Sequence, residues 1–239
     1  MRNYLYIASL FICLAQLNSC KKTMSTTTIE QSLNEFDSIQ FNSVFDVTLI
    51  QDTFNAIKIV GADKILKKIT IKIENNTLTL HNDYHGKWMH PQHNKIKIYL
   101  TVNKVNFIQA NETCNIKTSN TLVTDDLLVI LSSKLNEATL DLNCNRFSYW
   151  DNFPCGGKLT LSGNTDKLAI WNGALMAVDA YQLNANDVYC ENQSKGSCKI
   201  KSLQLFKYKI KGEGNIYLTG NPSTIVDEED NAKGELIIE

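Results

Sequence analysis

Apolar and polar residues alternate along most of the chain. Val47-Thr48-Leu49-Ile50, Ile57-Lys58-Ile59-Val60, Ile69-Thr70-Ile71-Lys72-Ile73, Leu78-Thr79-Leu80 and Ile96-Lys97-Ile98-Tyr99-Leu100 repeat largely with period two. That period puts one set of side chains on each face of an extended strand. Asn, Asp or Gly bounds each run, as turns require. Only Ala62 to Lys68 has the spacing of a helical turn, and Leu236-Ile237-Ile238 predicts a last strand. The fold class is all-β.

A second, longer period runs through the latter half. Ser132, Asn152, Asn172, Asn192 and Gly212 recur every 20 residues, each small or Asn. Ile130, Trp150, Ile170, Cys190 and Ile210 stand two positions earlier. Leu128, Ser148, Leu168, Val188 and Tyr208 stand two earlier again, and Ala138, Lys158, Val178, Cys198 and Leu218 follow six after the turn. A fixed short period of strands and turns predicts a β-solenoid, or parallel β-helix, with coils of about 20 residues. One such coil cannot bury its own apolar face, whereas stacked coils join equivalent side chains into one core. Asn152, Asn172 and Asn192 are then expected to form a turn ladder, each amide bonding the next. Residues 36–105 read as a less regular N-terminal β portion, and 106–239 as the coils with a C-terminal strand cap.

The columns assign the cysteines. Cys190 and Cys198 fall among apolar positions, and Cys155 aligns with Leu135 and Leu175; all three are expected to be small buried hydrophobes. Cys144 aligns with Asn164 and Asn184 and is expected to face outward at a turn. With Cys114 these five thiols are an odd number, which cannot all pair within one chain, and no Cys-x-x-Cys pair points to zinc or redox chemistry. Tyr149 and Tyr189 are expected to alternate outward, where their rings could stack on sugars.

The first residues carry a different pattern. Arg2 precedes an apolar run from Tyr4 to Leu17, too short to span a bilayer, which reads as a signal peptide over residues 1–19. It ends in Leu17-Asn18-Ser19-Cys20, which resembles a bacterial lipobox. The implied chemistry is a thioether-linked diacylglycerol on Cys20 and acylation of the new N-terminus, a membrane anchor of several chains. Residues 20–35, polar and aperiodic after Lys21-Lys22, read as the lipidated Cys and a flexible tether.

Composition narrows the function classes. Twenty-four Lys and Arg against 25 Asp and Glu give a net charge of -1, without the basic excess that binds nucleic acid. The chain has 26 Asn, suited to tight turns, and only two Arg, Arg2 and Arg146.

Phe36-Asp37-Ser38-Ile39 followed by Phe45-Asp46-Val47-Thr48-Leu49 resembles the opening of the head GIN domain family of auto-transporter adhesins. Asn76-Thr77-Leu78-Thr79-Leu80 and Lys95-Ile96-Lys97-Ile98-Tyr99-Leu100-Thr101-Val102 are similar to its middle strands. Gly212-Glu213-Gly214-Asn215-Ile216-Tyr217-Leu218-Thr219-Gly220-Asn221-Pro222 is similar to its closing segment. The resemblance spans roughly Phe36 to Ile225, and the middle coils depart from it where Ser-Gly is usual at the turn. It implies an exported all-β solenoid, often a lipoprotein, with an adhesin-like role.

Other chemistry is sparse. All four histidines, His81, His85, His90 and His93, lie in one stretch with Asp83. Imidazole suits Zn, Cu and Ni, so these four are the candidate metal ligands; the bland reading is a polar loop between two strands. Arg146, aligned by the period with Asp126, Asp166 and Asn186, is the one basic-plus-acidic constellation that a polysaccharide-cleaving β-helix would need. Asp227-Glu228-Glu229-Asp230 reads as a solvated loop. No P-loop, Gly-x-Ser-x-Gly or dinucleotide fingerprint occurs, no cofactor is implied, and no residue is assigned as catalytic.

The expected protein is a lipoprotein of the bacterial cell envelope, at the outer membrane, presenting a solenoid face to a protein or glycan. The alternatives are a periplasm-facing structural or sensory accessory in envelope maintenance and, third, a carbohydrate-active β-helix enzyme.

Overall fold

The computed structural model describes residues 25–85, 96–151, 154–230 and 233–239. Seventeen strands join in one continuous sheet that winds as a β-solenoid of about six turns. The coils are not laid down in chain order. Strands β2 (Ser38–Phe41) and β3 (Phe45–Gln51) form a coil that lies between two others. One is made of β6 (Thr77–Asn82) and β7 (Lys97–Val102), the other of β8 (Phe107–Ala110) and β9 (Cys114–Thr118). All of these pairings are parallel, Ile39 standing between Leu78 and Ile108, and Val47 between Ile98 and Ile116.

Outside β6 and β7 the direction reverses. Strand β4 (Ala56–Ala62) runs antiparallel to β7, and β5 (Ile69–Glu74) antiparallel to β6. The short helix α1 (Asp63–Leu66) between them buries Ile65 and Leu66. The outermost strand is β1 (Thr26–Ser32), antiparallel to β4. The tether expected over residues 20–35 is therefore corrected: its Thr26–Ser32 part is strand. Three consecutive β-branched threonines and Ile29 favour the extended chain, Ile29 packs against the core, and Glu30 meets Lys58 of β4 at 2.7 Å. A parallel stack leaves an open row of backbone groups at its end, and this antiparallel layer closes it.

Beyond β9 the coils follow the chain. Strands β10 (Leu122–Leu131), β11 (Asn136–Asp151), β12 (Gly156–Asn172), β13 (Leu175–Asn192) and β14 (Cys198–Ile210) stack in parallel. The last layers are β15 (Ile216–Thr219), β16 (Thr224–Asp230) and β17 (Leu236–Ile238). The acidic run Asp227 to Asp230 is strand, not loop: β16 pairs with β14, and Glu228 reaches Lys209 at 3.5 Å.

The core consists of columns, but their spacing is not uniform. One runs Val129, Tyr149, Ile170, Cys190 and Tyr208; another runs Leu127, Phe147, Leu168, Val188 and Phe206. All ten residues are buried. The coil lengths they define are 20, 21, 20 and 18 residues. A third column, Ile116, Ala138, Leu159, Val178, Cys198 and Ile216, lines the opposite wall. Burying a large apolar side chain contributes roughly 1.5–3 kcal/mol before chain entropy is subtracted, so stacked apolar columns are the main source of stability.

Because side chains alternate, a one-residue slip exchanges inside for outside. The 21-residue coil thus corrects several assignments made at a strict period of 20. Tyr149 and Cys144 point inward, Trp150 points outward, and Lys158 aligns with Ala177 instead of entering the core. Cys155 is buried, whereas Leu135 and Leu175 are exposed.

Candidate functional site

The outer face of β11 and β12 carries two exposed tryptophans side by side. Along β11, Arg146, Ser148 and Trp150 alternate outward. Along β12, in register beside them, come Lys167, Ala169 and Trp171. Trp150 is 48% exposed and Trp171 39%. Side chains four residues apart on a strand stand about 13 Å apart, and neighbouring coils are about 4.8 Å apart. Two indoles thus form one wall and two cations the other, with only Ser148 and Ala169 between them. The trough holds a cavity of about 590 Å³ lined by both tryptophans, Arg146 and Ser148 and, from the preceding coils, by Asn106, Asp126 and Leu128; Lys167 and Ala169 flank it in register without lining it.

Neighbouring coils close the trough at its ends. Leu128 stands beside Ser148 on one side and Tyr189 beside Ala169 on the other. The Tyr189 and Trp171 ring centroids are 5.8 Å apart, tilted at 50°. Tyr189 donates its hydroxyl proton to Glu191 Oε2 at 2.9 Å. Burial, then this carboxylate, push the Tyr189 hydroxyl above its ordinary value, so it stays a neutral donor. Burial also pushes the Glu191 carboxyl up, but hydrogen bonds from Lys211, Gln193 and Tyr189 outweigh it and hold it below the usual value.

The charges form a column of their own: Asp126, Arg146, Lys167 and Asp187. The two cations are central and the two carboxylates terminal. Arg146 Nε lies 4.0 Å from Asp126 Oδ1. Lys167, not Asp166, is the next neighbour of Arg146, which corrects the alignment at period 20. The acidic pair that a β-helix lyase would set around its base is therefore not gathered at Arg146.

Asp166 instead belongs to a polar corner, a groove of about 710 Å³ lined by amides and carboxylates from successive coils. Asn184 Nδ2 donates to Asn164 Oδ1 at 3.0 Å, Asn186 Nδ2 to Asp166 Oδ1 at 3.1 Å, and Asn145 Nδ2 to Asp125 Oδ1 at 3.3 Å. These groups satisfy one another along the stack.

The candidate metal ligands divide. His81 lies in β6 with Nδ1 3.0 Å from the Asn42 carbonyl oxygen and 3.3 Å from Ser43 Oγ, and Nε2 3.1 Å from Asp83 Oδ1. Both of its ring nitrogens already face partners. His85 is exposed, and His90 and His93 lie outside the described residues. No group of three or more His, Cys, Asp or Glu placed to hold a metal occurs among the described residues. Cys20 and Asn152 also lie outside them.

The amides of the inner turn are fully buried. Asn172 Nδ2 donates to Asn192 Oδ1 at 3.2 Å, and Asn192 Nδ2 to the Gly214 carbonyl at 2.9 Å. One coil earlier the aligned position, a step beyond the Trp150–Trp171 pair, is held by Asp151. Asp151 accepts backbone N–H groups from Gly173 and Ala174 and the Tyr149 hydroxyl at 3.0 Å. Burial pushes the Asp151 carboxyl above the usual range, against those three hydrogen bonds.

The sequence and the solenoid fold match a known family. The model described as "Putative auto-transporter adhesin, head GIN domain" matches residues 35–222. The chain belongs to this family. Three solved structures share the head GIN fold over 91% of the chain. A "putative adhesin" from Bacteroides fragilis aligns at 22% identity over 98% of its own length, with a TM-score of 0.79. A "putative lipid binding protein" from Parabacteroides distasonis aligns at 14% identity over 98% of its length, TM-score 0.66. A "putative adhesin" from Parabacteroides merdae aligns at 19% identity over 97% of its length, TM-score 0.61. No curated relative matches the sequence. At these identities the likeness is one of fold.

Trp150 and Trp171 had no place in the sequence reading as surface residues. Period 20 put Trp150 in the core, and Trp171 took no column. The signal was present in two misfits, Ser148 and Lys158, which stand in otherwise apolar columns. Lengthening one coil by a residue takes both out of the core columns and turns Trp150 outward beside Trp171.

Proposed function

We propose that this head GIN protein is a lipid-anchored adhesin of the bacterial cell envelope, tethered through Cys20 and binding its ligand on the outer face of β11 and β12. The observation that carries this reading is the in-register pair of exposed indoles, Trp150 and Trp171. Exposing two of the largest apolar side chains together costs solvation free energy that burial elsewhere would recover, and such patches mark contact surfaces. The lipobox-like Leu17-Asn18-Ser19-Cys20 supports anchoring, and no described helix is long and apolar enough to cross a membrane.

Protease treatment of intact cells tests the reading, with Cys20→Ala as the control for anchoring. The expected result is digestion of the domain while a periplasmic marker survives. The Cys20→Ala chain is expected to leave the membrane fraction. Survival of the domain until the outer membrane is opened would overturn the adhesin role and favour an envelope accessory.

A further inference from the structure

The adhesin reading leaves the ligand open; building on it, we infer that the trough between Trp150–Trp171 and Arg146–Lys167 binds a saccharide carrying a ring carboxylate, of the uronic or sialic acid class.

The dimensions fit one or two sugar rings. The walls stand about 13 Å apart, and a volume of about 590 Å³ lies within the range of small-ligand sites. Ser148 lines the floor, with Ala169 beside it in register, both small enough for a flat ring to lie against the strands. Sugar rings present C–H groups on one face and hydroxyls on the edge. An exposed indole meets the first by stacking; carboxylates, amides and hydroxyls meet the second. Both kinds of group are here: Trp150 and Trp171 on one wall, with Asp126, Asn106 and Ser148 around them.

Charge selects among saccharides. Arg146 and Lys167 are adjacent in register at the centre of the face; Arg146 lines the cavity together with Asp126, Lys167 flanks it in the next coil, and Asp187 lies one coil further out. The contact of Arg146 with Asp126 is long, Nε lying 4.0 Å from Oδ1. Lys167 has no ion pair among the described residues. The guanidinium therefore keeps a two-pronged edge for a carboxylate, the geometry in which arginine binds most selectively. A neutral sugar would leave both cations unused.

A protein partner is the competing occupant, since Trp, Tyr and Arg also dominate protein hot spots. The size of the patch argues against it. The apolar strip consists of the two tryptophans with half-buried Leu128 and Ile130 on one side and Tyr189 on the other, and it is bounded by Asp126, Asp187 and Glu191. Such a strip covers a small fraction of the roughly 800 Å² per partner that a stable protein interface buries.

The test uses the full chain in detergent against immobilised trigalacturonate, a sialyl-lactose and neutral lactose and galactotriose, followed by titration. Expected are retention of one or both acidic probes over the neutral ones and a loss of about tenfold or more in Trp150→Ala/Trp171→Ala. Arg146→Gln/Lys167→Gln should abolish the preference for the acidic probe while leaving residual binding, and its difference from wild type should shrink with added salt, which screens the charges. These four residues are exposed, so the variants should fold, which circular dichroism and an unchanged melting temperature establish. Failure of every acidic probe to bind at millimolar concentration, equal binding by the tryptophan variant, or equal retention of neutral probes would overturn the inference. If saccharides fail while cells bearing Trp150→Ala/Trp171→Ala lose attachment to a protein-coated surface, the occupant is a protein; the adhesin reading then stands and the saccharide inference falls.

Discussion

Asn172 Nδ2 donates to Asn192 Oδ1 twenty residues further along the chain, inside a core where neither side chain meets solvent. The bond links two coils through their side chains as the β-ladder links them through their backbones. It also has a direction: both amides give protons towards the C-terminal coil, and Asn192 accepts from the N-terminal one. Asn172 Oδ1 finds no hydrogen-bond partner among the described residues. The preceding position explains this. It is held by Asp151, which when ionised has no proton to give.

Asp151→Asn should therefore complete the ladder. The new amide keeps an oxygen for the Gly173 and Ala174 N–H groups and brings a donor for Asn172 Oδ1. The expected gain is about 1 kcal/mol at pH 7, measured by urea denaturation. Asp151→Ala should lose about 1–3 kcal/mol, because it strands two backbone N–H groups. The pH dependence separates the two effects. A carboxyl raised by burial contributes stability that is fully present below its unfolded value near 4 and is lost as pH rises through its folded value. The advantage of Asp151→Asn should thus widen from pH 3 to pH 7. A gap that narrows would show the carboxylate to be stabilised in place.

Asn192 accepts from Ser194 N and Asn172 Nδ2, both at 3.2 Å, and donates to the Gly196 and Gly214 carbonyls at 3.1 and 2.9 Å. Asn192→Asp keeps the shape but turns a donor into an acceptor facing two carbonyls. It should cost at least as much as Asn192→Ala, about 3 kcal/mol, by chemical denaturation. A purely steric role would instead make the aspartate nearly neutral.

Gly157 occupies the left-handed region at φ 124°, and a Cβ there would lie 1.9 Å from the Asn136 carbonyl oxygen. Asn136 is itself buried, its Oδ1 accepting from Cys114 N. Gly157→Ala should therefore lower stability by about 3 kcal/mol or more, combining backbone strain and displacement of a coil contact. A melting temperature within a degree of the parent would contradict the geometry.

The five described thiols, Cys114, Cys144, Cys155, Cys190 and Cys198, are free and buried. Burial pushes Cys114 up to about 12 and Cys155 up to about 11; Cys190 is raised by its hydrogen bond with Cys198 and by burial. The reactive species is the thiolate. Alkylation at pH 8 followed by peptide mass analysis should leave all five unmodified in the folded chain and label all five in guanidinium. Rapid labelling of Cys144 in the native protein would return it to the outward position expected from a strict 20-residue period.

The solenoid was legible in the sequence because a repeat needs only its average period to be recognised. Its site was not, because the site depends on local coil length. The columns through Leu168 and Ile170 average close to 20 residues per coil, yet the one added residue between β11 and β12 exchanges Tyr149 with Trp150. The order of the first coils was not legible for a different reason. Strands β2 and β3 alternate like their neighbours, and nothing in period two records that they insert between the β6–β7 coil and the β8–β9 coil. Only the pairings of Val47 with Ile98 on one side and Ile116 on the other show it.

Attachment of living cells tests the central claim most directly. Cells producing the wild-type chain and Trp150→Ala/Trp171→Ala should be compared at equal surface amounts, measured by antibody on intact cells. Both tryptophans are outside the core, so the variant should melt within about 0.5 kcal/mol of wild type. The account predicts that attachment to a glycan-coated or host-cell surface falls to the level of cells lacking the protein. Undiminished attachment, with the folded variant present on the surface, would contradict it.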